Sequence, residues 1–167
     1  MLQIRPAKID DAAEVMRITR LAFTVYQQAL NSNAPLGALT ETIDDVRADI
    51  ANNLVYLAED GGLVLGSIRV EELSPDLAYI YRFSVNPDES SGGLGSELLP
   101  RALNECAKRG YAAAALHTNS KYFKLARYYY GKEFYVHSTE TSRGYIRALF
   151  VKELLEKTVD LSPAFLK

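Results

Sequence analysis

The sequence predicts a single α/β domain of the α+β kind, in which helices flank a mixed, largely antiparallel β-sheet in the order β-α-α-β-β-β-α-β-α-β-β. Three observations carry this. Strand-type runs outnumber helical ones, glycine turns join several of them as hairpins, and helical segments interrupt the later ones as crossovers. With 167 residues the chain is close to one ordinary domain. A chain of this size buries roughly 70% of its unfolded surface, so it needs neither disulfide nor metal to fold.

Residues 2–7 (LQIRPA) read as a short strand. Asp10 or Asp11 then caps a helix whose apolar positions Val15, Ile18, Leu21, Ala22 and Tyr26 follow the helical period. The polar stretch 27–39, with Asn, Pro and Gly, reads as a helix end and loop. Thr40 or Thr42 caps a second, short helix through Ile43, Val46 and Ile50. Apolar runs at 54–58 and 63–70, joined by Glu59-Asp60-Gly61-Gly62, form a hairpin. After the turn Ser74-Pro75-Asp76, residues 78–85 (AYIYRFSV) make a third strand. A loop over 86–92 leads into a helix that reaches Arg109 and stops at Gly110. Within it Pro100 cannot donate to the carbonyl of Ser96, which predicts a kink or a shortened straight segment. Residues 112–118 form a strand that a right-handed crossover places parallel to 78–85. Residues 121–130 form a helix, and 134–140 and 145–152 a closing hairpin about the turn 141–144. The domain is expected to span 1–153, with 154–167 as a loose or edge-packed tail.

A net charge of −2, with 48% hydrophobic and 24% charged residues, removes the electrostatic footprint of a general nucleic-acid binder and argues against a highly charged acceptor surface. Cys106 is the sole cysteine, so an intrachain disulfide or cysteine-based zinc site is excluded. His117 and His137 lack metal-ligand spacing, and no metal is expected. Arg5 and Pro6 interrupt the start before any signal-peptide run, and no stretch of 18 apolar residues occurs. A cytoplasmic protein without membrane or nucleic-acid partners is the expectation. Eleven tyrosines, against 6 Phe and no Trp, are an excess of phenols that serves packing or chemistry.

The most informative stretch runs from Val85 to Leu99, VNPDESSGGLGSELL. Its glycines follow a strand and open a helix, where backbone N–H groups and the helix dipole suit a phosphate. The same glycines also serve a plain turn. A phosphate loop of the Walker type needs Lys-Ser/Thr after its last glycine, whereas Gly95 is followed by Ser96-Glu97. A dinucleotide fingerprint fails at Leu98. The stretch resembles motif A of the GNAT acyltransferase superfamily, in which Val-x-Pro precedes Arg/Gln-x-x-Gly-x-Gly/Ala. Val85-x-Pro87, Gly93-x-Gly95 and the apolar Leu94, Leu98 and Leu99 fall in register. Ser90 stands where Arg or Gln is usual and Ser91 where a first glycine is usual, so one charge-assisted contact is missing.

A second match, Leu116 to Phe134 (LHTNSKYFKLARYYYGKEF), resembles motif B of the same superfamily. Tyr128-Tyr129 sits at its Leu/Phe-Tyr pair and Phe134 at its closing Phe, with Glu133 in place of the usual glycine. Tyr122, Leu125, Ala126 and Tyr129 share one helix face, which also reads as core. The resemblance implies a GNAT-like fold and an N-acetyltransferase moving an acetyl group from acetyl-CoA to a primary amine by direct transfer in a ternary complex. It implies Tyr129 as the acid that protonates the departing thiolate, a role a phenol of pKa ~10 can fill. It further implies cosubstrate contacts at Phe83, Ser84, Val85, Ser90, Ser91, Gly92, Gly93, Leu94, Gly95, Ser96, Asn119 and Tyr122. Within that set a backbone N–H of the strand end 83–86 would polarise the acyl carbonyl.

The strand 78–85 carries Tyr79 and Tyr81 beside the expected thioester but no carboxylate, so the general base is open among Glu71, Glu72, His117 and a water chain. Tyr128 reads as packing. By analogy the acceptor, a small-molecule or peptide amine, is held by 27–42 and 138–143. A homodimer is compatible with the resemblance. Two other readings stand beside it. One is a non-catalytic acyl-CoA-binding regulatory module on the same fold, motivated by Ser90 and the absent base. The other is a nucleotide-binding protein.

Overall fold

A computed structural model of the chain describes the backbone of all 167 residues and the side chains of all but Ser90, Ser91, Gly92 and Gly95. Seven strands, β1 (Gln3–Pro6), β2 (Leu54–Asp60), β3 (Leu63–Ser74), β4 (Leu77–Val85), β5 (Ala113–Asn119), β6 (Tyr135–Glu140) and β7 (Arg147–Glu153), form one sheet ordered β1-β2-β3-β4-β5-β7-β6. Neighbours run antiparallel except β4 and β5, which are parallel as the crossover predicts. The helices are α1 (Ala12–Leu30), α2 (Gly37–Thr40), α3 (Ile43–Asn52), α4 (Leu94–Lys108) and α5 (Phe123–Gly131).

Because successive strand residues point to opposite faces, each strand feeds two cores. On β2, Tyr56 and Ala58 pack with Leu98, Leu99 and Ala102 of α4, whereas Leu57 packs with Val15 and Ile18 of α1 and Val46 of α3. Burying each such Leu, Ile or Val contributes about 1.5–3 kcal/mol. Thr42 caps α3 through a reciprocal pair with Asp45: the Asp45 N–H donates to Thr42 Oγ1 at 3.2 Å, and the Thr42 N–H to Asp45 Oδ2 at 2.7 Å.

Four boundaries differ from expectation. First, α1 continues through residues 27–30 to Asn31, whose left-handed φ of 48° ends it, and α2 forms one helical turn inside the expected loop. Burial of Leu30, Ala34, Leu36 and Ala38 overrides the polar composition there. Second, β3 runs past Val70 to Ser74, because Glu71 and Glu72 stay in register with Tyr79 and Ala78 of β4. Third, the last strand begins at Arg147 rather than 145. Fourth, α5 begins at Phe123 rather than 121, while α4 runs from Leu94 to Lys108 with Pro100 inside it. The tail packs on the face of the sheet rather than at its edge: Ser162–Leu166 makes a 3-10 turn that buries Ala164 against Leu77, Ala113, Ala115 and Leu149 of the central strands.

The site is created by a parting in the sheet. β4 and β5 pair only at Leu77–Ala113, Ala78–Ala114 and Tyr79–Ala115. Beyond Tyr79, β4 continues with β3 to Val85, while β5 continues with β7 to Asn119. At the parting β4 carries a bulge, with a register shift opposite Ser67 to Arg69 and Arg82 at φ 49°.

Candidate active site

Between the parted strands lies a cleft of about 1220 Å³. It passes through the sheet. Ile80, Leu116 and Tyr129 line it from the α4 and α5 side, and Tyr79, Tyr81 and His117 from the other. Phe23 and Tyr26 of α1 and Leu125 and Tyr128 of α5 complete its walls. Seven of the eleven tyrosines (Tyr26, Tyr79, Tyr81, Tyr122, Tyr128, Tyr129 and Tyr145) therefore share one cavity.

Tyr129 is 6% exposed. Its ring stands 5.3 Å from Tyr128, 5.6 Å from Phe134 and 5.5 Å from Phe150, centroid to centroid. Burial raises its pKa above the ordinary phenol value, so the hydroxyl keeps its proton at neutral pH. The turn that fixes this helix survives the missing glycine: Glu133 itself adopts φ 66°, and the Phe134 N–H donates to the Tyr129 carbonyl at 3.0 Å. Tyr122 forms wall as well as packing, its ring 6.3 Å from that of Tyr26. Tyr128 does too, 6.3 Å from Phe83.

Of the residues expected to hold a cosubstrate, Phe83, Val85 and Tyr122 line the cleft. Ser84 does not; it is fully buried, and its hydroxyl donates to the Arg82 carbonyl at 3.1 Å. Leu94 is buried core, while Ser96 is exposed in the first turn of α4. Gly93, at φ 78°, forms the cap of α4, and among the described residues, its chain neighbours aside, no atom lies within 4 Å of where a Cβ would sit. Ser90, Ser91, Gly92 and Gly95 lie outside the residues whose side chains are described. Asn119 stands apart from the cleft lining: its Oδ1 accepts from the Lys121 N–H at 2.9 Å, and its own N–H donates to the Tyr26 hydroxyl at 2.9 Å. It shapes the β5–α5 turn and ties α1 to it.

The three base candidates separate. Glu72 lies on the far side of β3 and accepts from the Tyr111 hydroxyl at 2.7 Å, away from the cleft. Glu71 lines the cleft and is ion-paired with Lys167. His117 lines it too, with Nδ1 2.7 Å from the Tyr79 hydroxyl. Desolvation first, then the positive charges of Arg147 and Arg143, pulls His117 down to about 4. Burial likewise pushes Tyr79 up to about 12. The protonated phenol and the neutral imidazole share one hydrogen bond, whose direction follows the tautomer of the ring.

A buried charge network also borders the cleft. Arg69 is fully buried; it donates to Glu41 Oε1 at 2.8 Å, to Asp49 Oδ2 at 2.8 Å and to Thr19 Oγ1 at 3.1 Å. Glu41 also accepts from Nε of Arg82, on the β4 bulge, at 3.2 Å. Sequence reasoning missed this network. Its one signal was a lone arginine in the apolar run 63–70 (LVLGSIRV). Among the described residues no group of three or more His, Cys, Asp or Glu could hold a metal ion, and no helix is long and apolar enough to cross a membrane.

The model of the Acetyltransferase (GNAT) family matches residues 23–134. The L-2,4-diaminobutyric acid acetyltransferase of Nocardia farcinica is 28% identical over 113 residues, which are 66% of this chain and 52% of that protein. The chain thus matches about half the length of that curated relative. The PaiA N-acetyltransferase of Thermoplasma acidophilum, solved with coenzyme A, superposes with a TM-score of 0.77 at 17% identity, over 92% of this chain and 99% of that one. YncA of Salmonella typhimurium, solved with acetyl-CoA, gives 0.77 at 19% identity, over 96% and 98%.

Proposed function

The chain belongs to the acetyltransferase (GNAT) family, and on that premise we propose that it transfers the acetyl group of acetyl-CoA directly to a primary amine. The parting of β4 from β5 carries this reading, because it opens one cleft from Val85 and Pro87, at the end of β4, to the tyrosine-lined face beyond. The residues present fit the cosubstrate. The N-terminus of α4, capped by Gly93, suits a pyrophosphate, and Phe83, Leu125 and Tyr128 offer apolar wall for the chain that follows.

Acetyl-CoA supplies an acyl group already activated as a thioester. The protein contributes three things. At the β4 bulge Arg82 and Phe83 together oppose Ile68, and β5 no longer pairs there. A main-chain N–H at this point is placed to polarise an acyl carbonyl. Tyr129, kept protonated by burial, donates its proton to the leaving thiolate sulfur. On the acceptor face, deprotonating an alkylammonium of pKa ~10.4 at pH 7 costs about 4.6 kcal/mol. The desolvated cleft favours the neutral amine. The ammonium proton leaves to water, and the uncharged Tyr79–His117 pair offers the neutral nitrogen a hydrogen-bonding partner without adding charge. Glu72 has no part in this.

The relative's substrate, a small diamino acid, supports a small-molecule acceptor. One observation favours the second reading, a non-catalytic acyl-CoA-binding module: three of the four side-chain carboxylates lining the cleft, Glu41, Asp49 and Glu71, are paired with cations. A thiol-release assay with acetyl-CoA and a panel of small amines decides. Amine-dependent release supports transfer; acetyl-CoA binding without release across the panel supports the module.

A further inference from the structure

Lys167 occupies one end of the cleft, and it does so with both of its charge-bearing ends engaged. Its Nζ is ion-paired with Glu71 and stands 5.8 Å from the centroid of the Tyr79 ring. Its main-chain carbonyl oxygen accepts from Nη2 of Arg143 at 2.7 Å and from Nη1 of Arg147 at 3.5 Å. Glu71, Tyr79, Arg143, Arg147 and Lys167 all line the same cavity as His117. One wall of the acceptor face thus holds a post for an anion and a post for a cation, one lysine apart.

We propose, resting on the acetyl-transfer reading, that the acceptor is a free amino acid with a cationic side chain, its carboxylate held by Arg143 and Arg147 and one of its ammonium groups by Glu71, in the place Lys167 now fills. Two guanidinium groups converging on one oxygen form a post for a carboxylate, which brings a full charge and two acceptor oxygens to their fork geometry. Arg147 is 8% exposed and already paired with Glu140, so its orientation is fixed before anything binds. A diamine without a carboxylate would satisfy Glu71 alone and set its second cation against Arg143. Glu41 and Asp49 offer such a cation no alternative, since Arg69 holds both. The 3-10 turn Ser162–Leu166, anchored by buried Ala164, closes over this end and favours a small acceptor over a peptide.

The test compares L-lysine and L-ornithine with cadaverine and putrescine, the same chains without the carboxylate. Thiol release should give kcat/KM about tenfold or more higher for the amino acids, the size expected of one charge-assisted contact. Arg143→Ala should bring that ratio close to one by raising KM for the amino acids, and Lys167→Ala should lower the same KM severalfold by freeing Glu71 of its resident ammonium. Equal rates for acids and diamines in the unaltered protein, or a ratio that survives Arg143→Ala, overturns the assignment. Calorimetric titration of the same four compounds onto the protein saturated with coenzyme A reads the subsite without turnover. Tighter binding of the amino acids supports it even if no thiol is released, an outcome that would count against acetyl transfer alone; equal binding overturns it.

Discussion

The Tyr79 hydroxyl lies 2.7 Å from Nδ1 of His117 and joins β4 to β5 just where the two strands stop pairing. This bond bridges the start of the cleft. It also places a neutral imidazole next to a phenol on the face where an amine would arrive.

That neutrality has a measurable pH signature. Unfolded, His117 takes up a proton near its ordinary pKa of ~6.5; folded, only near about 4. Between these values the unfolded chain binds more protons, so the stability His117 contributes is fully present above that window and is lost as pH falls through it. Thermal melts of the unaltered protein and of His117→Gln should diverge in slope across the window, with the unaltered protein losing stability more steeply. Parallel slopes would mean that His117 protonates freely in the fold.

Arg69 is held by Glu41 and Asp49 with no exposed surface of its own. Glu41→Gln leaves that guanidinium half-neutralised in the interior, which should cost about 3 kcal/mol or more in urea unfolding. Replacing both partners with apolar residues of similar volume, Arg69→Met with Glu41→Leu, should recover much of the loss. A single-variant cost under about 1 kcal/mol would show that water reaches the pair.

Gly66 of β3 is where α4 comes closest to the sheet. A Cβ there would sit 2.8 Å from Leu98 Cδ1, 3.0 Å from Leu94 Cδ2 and 3.1 Å from the Ser84 carbonyl oxygen. The backbone oxygen cannot step aside as a side chain can. Gly66→Ala should therefore destabilise by about 1–3 kcal/mol, and because Leu94 opens α4 it should also weaken acetyl-CoA binding in a direct titration.

Glu133 holds φ 66° after α5, a conformation that costs a side chain about 1 kcal/mol relative to glycine. Its side chain makes a solvent-exposed ion pair with Lys152, which is worth little. Glu133→Gly should raise the thermal midpoint slightly or leave it unchanged. A clear fall would show that the ion pair outweighs the strain.

How much of this was legible in the sequence follows from how local each signal is. Hairpin glycines, the helical period of α1 and α4 and the register from Val85 to Phe134 are local, and they give the order of the elements and the helix that carries Tyr129. The loop between α1 and α3 misled because Leu36 and Ala38 are buried by tertiary contacts that its Asn, Pro and Gly do not announce. The Arg69–Glu41 pair joins residues 28 apart, and Lys167 meets Glu71 and Arg143 only because the tail folds back over the sheet. Such contacts leave no periodic trace. Asn119 fell in the expected stretch, yet its side chain serves the turn, a distinction that only the geometry makes.

As the proton donor to a thiolate leaving group, Tyr129 is removed from the reaction by Tyr129→Phe, which takes away one oxygen and keeps the ring among Tyr128, Phe134 and Phe150. With acetyl-CoA and the best amine of the panel, kcat should fall about a hundredfold or more, while the Kd for acetyl-CoA from direct titration stays within about twofold. An unchanged kcat would contradict the account and move the acid elsewhere in the cleft.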